Sequence, residues 1–246
     1  MRWLLLLTVL WNAGVPIASA RTRAVASRID AARRILIITA HPDDEILLSP
    51  LLANRCVRGG ASCAIVVMTA SELRAAEMAR SAALLNLRLT QWSFSDVMND
   101  VGGVWAAEAG DREMLVRRIG DIIATEQPDL ILTFDPAHGT TGHPAHREIG
   151  RLVLETCAKN IFLVESAARF IGNGFELSNA APSRAWVYVA NDDWQYVVRI
   201  AEIHASQFNA EQVESLRTLP PEQRRVWFAP VQSAPCLSPT AISTIR

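Results

Sequence analysis

The 246-residue chain reads as an α/β protein, a Rossmann-like, doubly wound and mostly parallel sheet flanked by helices. Three observations carry that reading. The aliphatic runs Ile35-Leu36-Ile37-Ile38, Cys63 to Thr69 and Leu130 to Phe134 have the length and β-branched content of strands buried on both faces. Longer stretches with apolar residues at helical spacing lie between them, which implies right-handed crossovers and helices on both faces. The first and last of these strands empty into Pro and acidic residues, the punctuation expected where a strand gives way to a helix.

In chain order, Arg2, the apolar stretch Trp3 to Ala18 and the small residues Ala18-Ser19-Ala20 have the anatomy of a secretory signal peptide over 1–20. The apolar part is shorter than the ~20 residues that span a bilayer and contains Gly14 and Pro16. The expected mature chain therefore starts at Arg21, secreted or periplasmic and with no membrane span, and 21–32 lead into a catalytic-type domain over 33–219. Within it, Ile35 to Ile38 is the first strand and Glu45 to Val57 a helix stopped by Gly59-Gly60. Cys63 to Thr69 then closes a βαβ unit. Glu72 to Leu87 is an Ala- and Leu-rich helix, Leu89 to Phe94 a strand and Asp111 to Gln127 an amphipathic helix before the strand at Leu130. Pro220, Pro221, Pro230, Pro235 and Pro239 mark 220–246 as an extended tail lying on the body.

A formal charge of −1 gives no electrostatic case for nucleic acid. The single lysine, Lys159, has no acidic or cofactor motif around it, which argues against Schiff-base chemistry, and no glycine-rich nucleotide motif follows any strand. Cys56, Cys63, Cys157 and Cys236 permit three complete pairings. The short loop around Gly59-Gly60 favours Cys56 with Cys63, leaving Cys157 for Cys236, while Cys157 also reads as a buried thiol on an apolar helical face.

Chemistry concentrates in two loops. His41-Pro42-Asp43-Asp44-Glu45 follows the first strand, where His41 and Asp44 can share one divalent ion and Asp43 is a spare carboxylate. Asp43 also suits a plain helix cap. His138-Gly139-Thr140-Thr141-Gly142-His143-Pro144-Ala145-His146 follows the strand at Leu130. If these strands are neighbours at the point where strand order reverses, both loops open into one crevice. Either His143 or His146 can complete a facial set with His41 and Asp44, leaving the other free. His138 and His204, taken singly, read as ordinary satisfied groups.

Ala40-His41-Pro42-Asp43-Asp44-Glu45 and Gly142-His143-Pro144-Ala145-His146 together resemble the PIG-L/LmbE family of zinc-dependent N-deacetylases. Thr69-Ala70-Ser71-Glu72 with Arg74 and Glu77, and His204-Ala205-Ser206-Gln207, resemble its further motifs, so the likeness runs over about residues 33 to 207. The resemblance implies His41, Asp44 and His146 as ligands of Zn2+ (Fe2+ or Co2+ would suit the same set), Asp43 as general base, His143 as general acid or electrostatic partner, and Arg74 as a substrate contact. It implies removal of acetyl from an N-acetylglucosamine-type sugar or glycoconjugate. Another N-acyl metabolite as substrate, or a metal-retaining binding protein without turnover, stays open. The chain departs from the pattern at Ala145, where the family carries Asp, at Ser71, where it usually carries Gly, and at Thr141, where some members carry an oxyanion-holding Tyr. Trp92, Trp105, Trp186 and Trp194 are candidates for a sugar-stacking wall, or for core.

Overall fold

The computed structural model describes residues 20–164, 167–171, 174–178, 186–189 and 192–231. The expected leader, Cys236 and the end of the proline-rich tail fall outside these residues. A helix α1 (Ala20–Ala31) precedes β1 (Arg34–Thr39), β2 (Ser62–Thr69), β3 (Leu87–Phe94), β4 (Leu130–Phe134) and β5 (Ile161–Val164), all paired in parallel. β8 (Trp186–Val189) and β9 (Arg225–Pro230) extend the same sheet in the antiparallel sense, in the order β3-β2-β1-β4-β5-β9-β8. β6 (Ala167–Ile171) and β7 (Gly174–Ser178) form a separate two-stranded ribbon.

Strand order reverses at β1, which lies between β2 and β4: Ile37 sits level with Ile65 on one side and Leu132 on the other. β1, β2 and β4 are buried along nearly their whole length, as central parallel strands covered on both faces must be. The edge strand β3 alternates instead, and the guanidinium of Arg118 covers Trp92 and Phe94 at 4.6 and 5.5 Å.

The helix expected over Glu45 to Val57 is helical but in three pieces, a 3-10 turn (Asp44–Leu47), a short α2 (Ser49–Leu52) and a π-helical turn (Ala53–Arg58). Pro50 is tolerated because it falls in the first turn of α2, where its missing N–H would have had no partner. α3 (Glu72–Leu84) packs on β3, while α4 (Val101–Ala109), α5 (Arg112–Glu126) and, after a short α6 (Gly139–Gly142), α7 (Pro144–Glu155) pack on one another, with α5 and α7 also against β1. Asp111 caps α5 by accepting from the amide of Met114 at 2.6 Å. α8 (Trp194–Ile203) lies against α2 and α3, and α9 (Ala210–Arg217) against α8.

One sequence expectation is corrected. The segment after Pro220 is not merely laid on the body: β9 is inserted between β5 and β8, with Val226 and Phe228 buried. The prolines obscured the strand, yet Pro230 occupies its last position, where a missing donor costs least. Of the two readings open for the tryptophans, Trp105 and Trp194 follow the core reading. Both are buried, with their indole N–H donating to the carbonyls of Ser95 at 2.9 Å and Leu216 at 2.7 Å. The Cys56–Cys63 disulfide forms as expected, closing the turn into β2; Cys157 is also disulfide-bonded.

α7 approaches β4 so closely that a Cβ on Gly150 would lie 2.3 Å from the carbonyl oxygen of Phe134. Because α7 carries His146, this contact sets how near that side chain comes to β1. Gly150→Ala is expected to cost about 1–3 kcal/mol through overpacking, read as a lowered denaturation midpoint. An unchanged midpoint would mean that α7 can slide on the sheet.

Candidate active site

The loops after β1 and β4 meet at the carboxyl edge of the sheet, around a cavity of about 670 Å³ lined by His41, Asp43, Asp44, Arg74, Asp96, His143 and His146. All six sequence-derived site residues are therefore brought together. The structure adds Asp96, from the loop after β3.

Asp44 is buried and turned inward. Its Oδ2 accepts from the backbone N–H groups of Ala40 at 3.0 Å and His41 at 2.7 Å, while Oδ1 lies 2.9 Å from His146 Nε2. His41 Nδ1 lies 3.1 Å from the same nitrogen and 3.7 Å from Asp44 Oδ2. The outer nitrogens of the two rings reveal the tautomers. His41 Nε2 contacts Asp96 Oδ1 at 3.1 Å, and His146 Nδ1 contacts the Gly139 carbonyl at 3.0 Å and the Thr141 hydroxyl at 2.9 Å. Each outer nitrogen faces an acceptor and so carries the proton. Consequently His41 Nδ1, His146 Nε2 and Asp44 Oδ1 turn three lone pairs toward one point.

Buried acceptors repel unless a cation is shared among them. The electrostatics have the same sign. Burial opposes a charge on His41, but Asp44 and Asp96 outweigh it and raise the pKa to about 10. Burial would likewise raise the pKa of Asp44, yet His146 and His41 hold its carboxyl well below the usual carboxylate range. The donors suit a divalent transition metal. Nitrogens on one tetrahedral zinc stand about 3.3 Å apart, close to the His41–His146 spacing, and three protein ligands with an open position is the catalytic pattern.

The ring nitrogens of His41, His143 and His146 also lie within 4.8 Å of one another, so His143 competes with Asp44 as the third ligand. Local chemistry decides between them. His143 is the N-cap of α7, and its Nδ1 accepts from the Ala145 N–H at 3.2 Å, which leaves the proton on Nε2. A ring that presents an N–H to the site is a donor and not a ligand. Burial, then the charges of His41 and His146, push the pKa of His143 down to about 4, which favours the electrostatic partner over the general acid among the two roles the resemblance implied. The ring faces the cavity as a neutral hydrogen-bond donor.

Asp43 is no helix cap, for its side chain makes no capping bond. It sits at φ 107°, ψ −17°, a left-handed conformation that costs a non-glycine residue about 1–3 kcal/mol and is characteristic of functional sites. Arg74, from α3, donates to the Pro42 carbonyl at 2.7 Å and to Asp43 Oδ1 at 3.0 Å. The expected substrate contact is therefore first a clamp on Asp43, while still lining the cavity. The opposite loop is strained too, with Thr140 at φ 56° and ψ −56° held by its hydroxyl bond to the Val164 carbonyl at 2.9 Å.

His138 lies outside the cluster, exposed and bonded to Asp135 at 2.6 Å. His204 is buried but only half satisfied, against the expectation for a lone histidine: Nε2 lies 2.6 Å from Glu45 Oε1, directly behind the site, while Nδ1 has no hydrogen-bond partner among the described residues.

With this geometry in view, the comparisons with known proteins are specific. Residues 36–157, which contain both loops, match the model of the PIG-L family, described as GlcNAc-PI de-N-acetylase. The chain belongs to the PIG-L family. It is 26% identical over 160 residues to the 1D-myo-inositol 2-acetamido-2-deoxy-α-D-glucopyranoside deacetylase of Kineococcus radiotolerans, across 50% of this chain and 44% of that one. The chain thus spans less than half the length of that curated relative. Among solved structures, the N,N'-diacetylchitobiose deacetylase of Pyrococcus horikoshii superposes with a TM-score of 0.61 at 19% identity, covering 83% of this chain and 85% of that one. The 4-carboxy-2-hydroxymuconate hydratase GalB of Pseudomonas putida KT2440 superposes with a TM-score of 0.55 at 12% identity, covering 80% and 95%. At such identities the likeness is one of fold, and a hydratase shares it.

Asp96 faces the outer nitrogen of His41, a candidate ligand, and lies away from the point where the lone pairs converge. Asp96→Asn is expected to weaken divalent-metal binding by about 10- to 100-fold, measured by competition with a chelator. Unchanged affinity would mean that His41 holds its orientation without the carboxylate.

Proposed function

We propose that this PIG-L family member is an exported, zinc-dependent amide hydrolase that removes an acetyl group from an N-acetylglucosamine-type sugar or glycoconjugate. One observation carries the reading: His41 Nδ1, His146 Nε2 and Asp44 Oδ1 converge as acceptors beside a strained, cavity-lining carboxylate, Asp43. Zinc held by these three groups supplies a Lewis acid for the amide carbonyl and makes water acidic enough to attack near neutral pH.

Asp43 is the base. Burial, then the charges of Asp44 and Glu45, raise its pKa to about 7 against the opposing pull of Arg74. A carboxyl so placed can accept a proton and release it again within one turnover. It takes a proton from the attacking water and gives it to the amide nitrogen as the C–N bond breaks. The nitrogen then leaves as an amine instead of an amide anion, and the acyl carbon leaves as acetate. The neutral Nε2–H of His143 donates to the carbonyl oxygen as negative charge develops there, a task that needs no ionised ring. Arg74 keeps Asp43 oriented while its remaining donor surface faces the cavity.

The rim of the cavity supports a conjugate over a free sugar. Ile46, Leu47, Phe208 and the largely exposed Met98 give an apolar wall against which a substituent on the sugar would lie. Export is supported by the anatomy of the leader and by the Cys56–Cys63 disulfide, since disulfides persist in oxidising compartments.

Purified protein is expected to release amine from N-acetylglucosamine conjugates, to lose that activity on chelation and to regain it with zinc. Asp43→Asn is expected to lower kcat by about 10²- to 10⁴-fold with zinc still bound, whereas His146→Ala loses both zinc and turnover. Amine release that survives chelation would sink the proposal. A base must be ionised to act, so kcat/KM should fall as pH drops through the Asp43 pKa. The midpoint should lie at or below about 7, because a neighbouring cation lowers a carboxyl pKa. An acidic limb that persists in Asp43→Asn would assign it to another group. N-terminal sequencing of protein exported by its native host is expected to begin at Arg21; a chain retaining residues 1–20 would refute cleavage there.

A further inference from the structure

The proposed mechanism leaves unused a chain of buried polar groups directly beneath Asp43. Glu45, two residues on, is completely buried. Its Oε2 accepts from the backbone N–H of Asp43 at 3.1 Å. Its Oε1 accepts from the hydroxyl of Ser81 on α3 and lies 2.6 Å from Nε2 of His204. His204, at the end of α8, is itself completely buried, and its Nδ1 lies 3.8 Å from Oε2 of Glu77. Glu77 in turn accepts from the backbone N–H of Ser206 at 3.0 Å and from its hydroxyl at 2.5 Å. A line of contacts thus runs from α8 through α3 to the peptide group of Asp43.

A carboxylate inside a core is retained only when partners compensate its desolvation, and here every partner is a donor that fixes its orientation. What the fixed carboxylate holds, in turn, is the one amide whose residue has φ 107°. An aspartate does not stay in that conformation unless its surroundings over-determine it. Arg74 secures the side chain and the preceding carbonyl, and only Glu45 secures the N–H among the described residues.

We propose that Glu45, itself oriented by Ser81 and His204, is a positioning residue that locks Asp43 in its left-handed conformation and so aims its carboxylate at the attacking water. This rests on the reading of Asp43 as the base. Glu45 touches neither substrate nor metal.

The test compares Glu45→Ala with Glu45→Gln, whose amide oxygen can still accept from the Asp43 N–H. Hydrogen exchange of the Asp43 amide is followed by NMR in the zinc-free and zinc-loaded protein. Bound zinc, kcat and KM are measured in parallel, with an N-acetylglucosamine conjugate as substrate. Glu45→Ala is expected to speed exchange at Asp43 and to lower kcat by about tenfold or more, with KM within about twofold and the zinc content unchanged. Glu45→Gln is expected to restore most of both. Exchange at Asp43 that is as slow in Glu45→Ala as in the parent protein would overturn the proposal, as would zinc lost in step with kcat. Should Glu45→Ala not fold, Ser81→Ala, a far smaller change, is expected to shift exchange in the same direction, and no shift there would count equally against it. If the parent protein hydrolyses nothing, the function proposed above fails, while the exchange result still decides whether Glu45 locks Asp43.

Discussion

The site depends on one pairing, that of β1 with β4. Parallel strands end on the same edge of a sheet, and β1 is the strand at which the order turns from β2 toward β4. The loop carrying His41, Asp43 and Asp44 and the loop carrying His143 and His146 are about a hundred residues apart in sequence, yet the register of Ile37 with Leu132 opens both into one crevice. The buried aliphatic faces of these strands hold that register, because a slip of one residue would turn the apolar side chains out of their layers. Close contact between Gly150 and Phe134 then sets the height of α7, and Phe134 stacks on the ring of His146 at 4.4 Å. Packing and ligand placement are thus the same set of contacts.

The site built on that frame stores strain and charge together. Asp43 and Thr140 both lie at positive φ, one in each loop, and each is held by hydrogen bonds from outside its own loop. Asp43, Asp44 and Asp96 line the cavity with three histidines, Glu45 lies buried behind Asp43, and among the described residues Arg74 is the one arginine lining it. A cluster with this balance draws in positive charge, whether proton or metal. Its tautomers turn the lone pairs of His41 and His146 toward the same point, so the fold has prepared the place that the charge would take.

What could be read from the sequence was local. His41-Pro42-Asp43-Asp44-Glu45 announces its chemistry because the donors lie within one loop, and the central strands announce themselves because both faces are buried. The short loop between Cys56 and Cys63 likewise pointed to the disulfide that forms. The rest depended on contacts that no spacing records. Asp96 stands in an undecodable loop after β3, and His204 meets Glu45 from 159 residues away. β9 was obscured by its prolines, since the rule that Pro avoids strands does not distinguish the last residue of a strand from its middle. Trp105 and Trp194 look alike in sequence whether they face a sugar or the core; only their buried indole donors, bonded to backbone carbonyls, separate the two.

The departure at Ala145 acquires a physical meaning in this structure. A carboxylate at that position, two residues from His143, would favour a charged imidazole. Here the residue is a fully buried alanine, and only its backbone N–H, which any non-proline residue there would supply, bonds to His143 Nδ1. The anions that still favour charge on His143 are Asp96 and Asp44, and burial with the charges of His41 and His146 outweighs them. Loss of the carboxylate therefore does not dismantle the site. Under the function proposed above, His143 would hold its Nε2–H in place while Asp43 would carry the proton both from water and to the leaving nitrogen. A base poised near neutrality can do both, so that reading makes the conformation of Asp43, and the buried Glu45 that secures its amide, decisive.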